Sequence, residues 1–214
     1  MFTKGNRFLI YLTSIGNSFG MSLTMTYASL YFVALGATPV IQSILVSVRN
    51  LGSNVLQLFW GTLSDRYGRK KFLLFGFFSS ALTTLLFILI HSTLILILVV
   101  GIQALIGSMV IPSWNGLLGD FTKREFRGRF IGFITSIETL FSIVGLILIG
   151  FVSEKISGSL RQYYFIFAIS ALFYLLAAIS SYKIKAPVIK DASEKKATLF
   201  YRLQRFKISK VYSD

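Results

Sequence analysis

The chain has 214 residues, 54% of them hydrophobic and only 14% charged, with a formal net charge of +14. A soluble domain of this size has too little interior to hide that much apolar surface, so the implied solvent is lipid. The bases fall in gaps between apolar runs and form no patch interleaved with polar residues, which argues against a nucleic-acid partner. The absence of cysteine excludes disulfides and thiol chemistry, and with a single His it argues against a metal site.

Six apolar segments follow one another at 8–35, 39–60, 72–90, 94–118, 130–152 and 162–182. Each meets the roughly 17–25 residues needed to cross a hydrocarbon core. Backbone groups in lipid must be satisfied within the segment, so the expected elements are helices. The first segment is long enough to tilt or to project past the headgroups; it is too long for a cleavable signal and has no small-residue cleavage site. Asn17, with Thr13, Gly20, Thr24, Tyr27 and Tyr31, gives it a polar and aromatic face.

The second segment opens after Leu35-Gly36-Ala37-Thr38, with Pro39 suited to a first helical turn. It carries a stripe of Gln42, Arg49, Ser53 and Gln57, with Asn50 and Asn54 on the flank, a spacing that keeps one helix face polar. Arg49 lies about 18 Å of helix rise before Gly61. That is too deep for comfortable snorkelling, and an ionisable residue inside a span is a functional hypothesis by default. After this segment comes Gly61-Thr62-Leu63-Ser64-Asp65-Arg66-Tyr67-Gly68-Arg69-Lys70-Lys71, a glycine-bracketed loop of one acid and four bases. Glycine at its two ends permits close backbone approach and positive φ. Asp65 is expected near the membrane boundary, favoured by a helix N-terminus or a nearby Arg.

His91 falls in the short turn after the third segment, where an ordinary loop role outweighs pH sensing. On the fourth, Gln103, Gly107 and Asn115 share a face. In the fifth, Glu138 shares a face with Thr135, Ser142 and Gly145. Its depth differs from that of Arg49 by about 6 Å, within reach of long side chains. Arg49 and Glu138 are therefore expected to pair, either as a packing ion pair or as part of a substrate or proton pathway. Small and polar residues on the remaining faces also serve ordinary helix packing. Trp60, Trp114, Tyr163 and Tyr164 fall at segment ends and read as interfacial anchors.

Orientation follows from Lys and Arg. Lys4 and Arg7, then Arg66, Arg69, Lys70 and Lys71, then Lys123, Arg124, Arg127 and Arg129, and finally the tail beyond 182 form one set; the first and third gaps have no base and the fifth only Lys155 and Arg161. The positive-inside rule places both termini and the even gaps in the cytoplasm. The expected fold is an all-α, multi-pass bundle of six transmembrane helices in the cell membrane, N-in and C-in, spanning 1–185. A basic cytoplasmic tail follows at 186–214, where Leu199, Leu203 and Phe206 at helical spacing suggest an amphipathic helix on the anionic leaflet.

The loop at 61–71 resembles the signature loop of the major facilitator superfamily, G-x-x-x-D-[RK]-x-G-[RK]-[RK], which in that family joins helices 2 and 3. The likeness covers roughly residues 7 to 185: the turn at Leu35–Pro39 is similar to the family's external turn, Gln103–Gly107 with Ile111-Pro112-Ser113-Trp114-Asn115 and Asp120 to its fourth helix, and Arg127-Gly128-Arg129 to the start of its fifth. This chain differs in having Val100 where the fourth-helix motif often has Arg, and no Gly-Pro near Gly145 or Gly150. Members normally have twelve helices, and the likeness is to the N-terminal six.

The resemblance implies gradient-driven transport of a small solute by alternating access, with Gly61, Asp65, Arg66, Gly68, Arg69, Lys70, Asp120 and Arg127 as gating residues. In it Arg69 pairs with Asp120, and Asp65 faces a second six-helix half, either another chain or a second copy. Asn17, Gln103, Arg49, Glu138, Asn54 and Gln57 are the expected substrate or proton pathway. No cofactor is implied; no ATP-binding G-x-x-x-x-G-K-[ST] occurs, and no segment carries a nucleophile with a base, which argues against an enzyme. The alternative is a non-transporting membrane subunit or an inactive truncated remnant.

Overall fold

The computed structural model describes residues 4–155 and 160–185, and every regular element among them is helical. The elements are α1 (Lys4–Ala34), α2 (Pro39–Tyr67), α3 (Arg69–Leu89), α4 (Thr93–Gly107), α5 (Val110–Asp120), α6 (Arg127–Glu154, entered through a 3₁₀ turn at Arg124–Phe126) and α7 (Arg161–Lys183). The tail helix expected around Leu199–Phe206 lies outside the described residues.

Among the described residues, four stretches are long and apolar enough to cross a membrane: Arg69–Leu89, Thr93–Asp120, Arg127–Ser153 and Arg161–Lys183. α1 and α2 are the two longest of these helices, yet fall short on apolarity because each carries a polar face.

Two helix boundaries follow directly from side-chain chemistry. Thr38 caps α2, its Oγ1 accepting the Ile41 N–H at 3.4 Å, and Pro39 occupies the first turn, where its missing N–H costs nothing. The fourth apolar segment, read from sequence as one span, is two helices. Pro112 has no N–H to bond the carbonyl of Ser108 and its ring crowds that carbonyl, so the chain tightens at Ser108 and Met109, with Met109 N–H bonding Ile106 O at 3.2 Å.

The core is held by close approach and hydroxyl bonds, as expected where lipid gives no hydrophobic drive between helices. A Cβ at Gly16 would lie 2.8 Å from the Phe173 carbonyl and one at Gly20 would lie 3.0 Å from the Tyr174 ring, so this small-xxx-small pair lets α1 meet α7 backbone to side chain. Thr13 and Ser180 share a 2.8 Å hydrogen bond, Thr24 and Ser170 one of 2.5 Å, and Ser170 also donates to Gly20 O at 2.6 Å. α2 packs on α4 and α5, α6 on α1, and α3 on α4, α5 and α7.

Three links gather one end of the bundle. Asn6 at the start of α1 bonds both backbone groups of Lys185 after α7 (3.1 and 3.3 Å), Lys70 Nζ donates to Ile184 O at 2.9 Å, and Arg69 joins α3 to α5. The described ends of the chain and the two base-rich connections therefore share one side. At the opposite end His91 and Tyr164 share a 2.6 Å hydrogen bond, and Tyr31 donates to Ile90 O at 3.3 Å.

Candidate functional site: a clamped loop and a cleft

The segment 61–71 is hardly a loop at all. α2 continues through Asp65 and Arg66 to Tyr67, α3 starts at Arg69, and Gly68 alone forms the joint. Its φ of +104° lies where side chains are strained, so this position requires glycine. Asp65 thus stands in the last turn of α2, where the helix dipole disfavours an acid. Arg69 compensates: its Nε donates to Asp65 Oδ1 at 2.7 Å and its Nη2 lies 2.6 Å from the same oxygen. The other side of the guanidinium meets Asp120 Oδ2 at 2.5 Å and donates to the Gly116 carbonyl.

Gly116 makes room for this fork, since a Cβ there would sit 2.5 Å from Arg69 Nε. Exposure separates the two acids: the side chain of Asp120 is 11% exposed and that of Arg69 17%, whereas Asp65 is 61% exposed. Arg69 and Asp120 form a shielded pair, and Asp65 presents its outer side to whatever lies beyond. Close by, Arg127 Nη2 bonds Gly119 O at 2.9 Å, tying α6 to the end of α5. Lys70 also lies 5.1 Å from the Tyr182 ring, and the Arg66 guanidinium 5.6 Å from the ring of its neighbour Tyr67. Gly61 faces Pro112, with ordinary contact distance for an added Cβ.

Deeper in the bundle, α1, α2, α4 and the start of α5 surround a cleft of about 770 Å3, open space at its mouth included, with Ser80 of α3 and Tyr174 of α7 also lining it. Asn17, Arg49 and Gln103 are on its wall. Arg49 Nη1 reaches the Met25 carbonyl at 3.4 Å, and Gln103 Nε2 donates to Thr84 Oγ1 at 3.1 Å. Asn54 and Gln57, nearer Gly61 on α2, are not among the lining residues, and Asn54 is exposed.

The expected Arg49–Glu138 pair does not form. Glu138 Oε1 accepts the indole N–H of Trp114 at 3.1 Å, and the Glu138 backbone carbonyl takes the Ser18 hydroxyl. Counting residues from the membrane boundary gives depth along a helix but not which way the helix faces. α2 packs against α4 and α5 while α6 packs against α1, so the two charges point into different parts of the bundle. Trp114 is likewise no interfacial anchor: it is 4% exposed, buried between α5 and α6. Tyr163 and Tyr164 pack around Tyr31, at ring-centroid distances of 5.5 and 6.3 Å. Trp60 donates to Leu105 O at 2.9 Å.

Several participants escaped the sequence reading. Gly116 had a usable signal, a glycine one turn before an acid that an arginine must reach. Tyr174, Met21 and Met25 in the cleft had none, since aromatic and thioether side chains read as ordinary span residues.

A profile described as Major Facilitator Superfamily matches residues 10–212. Over 206 residues the chain is 24% identical to Quinolone resistance protein NorA of Staphylococcus aureus, covering 96% of this chain and 49% of that protein. Over 191 residues it is 24% identical to an uncharacterized MFS-type transporter of Methanocaldococcus jannaschii, covering 89% of this chain and 48% of the relative. The chain spans about half the length of the curated relatives it matches. With the profile matched across nearly its whole length, this multi-pass membrane protein belongs to the major facilitator superfamily.

Proposed function

We propose that the chain forms one half of a gradient-driven, alternating-access transporter for a small solute. The observation that carries this reading is the cleft that α1, α2 and α4 build around Asn17, Arg49 and Gln103. In this reading α1 and α2 also span the bilayer, giving six spans in the cell membrane with both chain ends cytoplasmic. Their polar faces would be costly against lipid, where an unsatisfied polar group costs several kcal/mol, so a second six-helix half covers them. The two halves rock about a site near the midplane.

The clamp has a defined part in such a cycle. Arg69 and Asp120 stay shielded and hold α3 against α5, keeping this half a rigid body, while the exposed Asp65 meets the second half when the cavity faces outward. Gly61, Arg66, Gly68, Lys70 and Arg127 shape and orient that contact. Glu138, held off the cleft by Trp114, is a proton-handling group only if its indole bond opens.

The test is solute counterflow in liposomes, with the chain alone and with a separately expressed second half. Because one relative is named for quinolone resistance, a quinolone is a natural first solute. Uptake by the chain alone, without any inter-chain cross-link from single cysteines on α1 or α2, would overturn the two-half reading. Absence of uptake in both preparations, across a panel of solutes, would overturn transport itself.

A further inference from the structure

The cleft wall is sorted by chemistry in a way that narrows what it can hold. Arg49 is the one permanently charged side chain among the residues that line it, and no carboxylate is among them. The described contact of its guanidinium is a long one to a carbonyl, 3.4 Å to Met25 O, and among the described residues no acid pairs with it. Glu138, the obvious candidate, is turned toward Trp114. Most of the remaining lining is apolar, Met21, Met25, Leu45 and Val100 among it, with such polar exceptions as Asn17, Thr24, Gln103 and Ser108.

A guanidinium in such a wall offers a planar fork that matches the two oxygens of a carboxylate, sulfonate or phosphoryl group. A small inorganic anion would use the guanidinium and the few amide and hydroxyl donors of the lining, such as Asn17 and Gln103, but would leave the apolar greater part of the wall uncovered. A cation would face the arginine. The two methionines can adapt to apolar bodies of different outline. We propose that the cleft binds an amphipathic organic anion, its acid group on Arg49 and its apolar body against Met21, Met25, Leu45 and Val100. This rests on the reading of the cleft as the transport site and adds the class of solute.

The experiment uses the 214-residue chain in nanodiscs of phosphatidylcholine, with empty discs subtracted. Two fluorescent probes share one apolar frame: 8-anilino-1-naphthalenesulfonate bears an acid, N-phenyl-1-naphthylamine does not. The sulfonate should bind about tenfold or more tightly than the uncharged probe, as one charge-assisted contact provides. Arg49→Gln should erase that preference while sparing the uncharged probe, and Arg49→Lys should keep part of it. Equal affinities in the unaltered chain, or a preference that survives Arg49→Gln, overturn the inference.

If Arg49→Gln does not fold, Val100→Trp fills the cleft and leaves the charge in place. The sulfonate preference should then fall, and its persistence would place the anion elsewhere. Adding phosphatidylglycerol to the discs separates the two sources of acid: little change supports a solute, and full competition would mean that a lipid headgroup occupies Arg49, which overturns the proposal. Solute uptake in liposomes with no acid preference in discs would sink this inference and leave the transport reading standing. An Arg49-dependent preference without uptake would support the anion site and count against transport.

Discussion

Replacing Gly116 by alanine is a mild change that the clamp should not tolerate. The added Cβ would lie 2.5, 2.7 and 2.9 Å from Nε, Cζ and Cδ of Arg69, so the whole guanidinium must move. Moving it breaks the shielded contact with Asp120 and the exposed one with Asp65. Arg69 and Asp120 are only partly buried, so breaking their pair costs at most about 3 kcal/mol, the lower end of the range for buried pairs, and an exposed pair contributes at most about 1 kcal/mol. Alanine in a helix interior regains about 0.5–1 kcal/mol over glycine. The net expectation is a loss of up to about 3.5 kcal/mol. In an Arg69→Ala background nothing is left to displace, so the same substitution should become neutral or slightly stabilising. Thermal unfolding of the four proteins of this double-mutant cycle, followed in detergent by fluorescence-detected gel filtration, reads the difference. An equal loss from Gly116→Ala in both backgrounds would show that the arginine does not occupy this space.

Three further outcomes are expected. Arg49→Gln and Glu138→Gln should have additive effects on folded yield, because the two groups have separate partners; recovery in the double variant would mean that they pair after all. Thr24→Val, which removes the hydroxyl that meets Ser170 at 2.5 Å, should lower stability by about 0.6–2 kcal/mol, the range for hydrogen bonds between membrane helices, and an unchanged unfolding midpoint would discount that bond. Since the chain has no native cysteine, His91→Cys should react with a membrane-impermeant maleimide added to intact cells whereas Asp65→Cys should react only after permeabilisation, and the reverse pattern would invert the proposed topology.

What could be read in advance divides along physical lines. Apolar run length and the requirement to satisfy the backbone in lipid make helices legible without any tertiary information, and Thr38-Pro39 marks its own helix start. The neighbourhood of Arg69 and Asp120 could be anticipated only through the family resemblance, of 61–71 to the signature loop and of Asp120 to the end of the fourth helix. Arg49 and Glu138 show the limit: periodicity ranks faces on one helix, but the rotation of α2 relative to α6 depends on which helices pack between them. Trp114 shows another, since position near a segment end does not distinguish a headgroup neighbour from a residue buried under α6. Pro112 was visible throughout; its consequence for the fourth span required knowing that the carbonyl of Ser108 would lose its partner.

The break at Ser108 and Met109 concentrates the bending compliance of the fourth span at a single level. Above it, α4 carries Val100, Gln103 and Ala104 of the cleft wall; below it, α5 is fastened through Gly116 and Asp120 to Arg69, and through Trp114 to α6. An unbroken helix would transmit a tilt of its lower part along its full length. With a joint in between, the two parts are aimed separately: α5, with Val110 and Ile111 of the lining, follows its fastening to Arg69 and α6, and α4 follows the rest of the cleft wall.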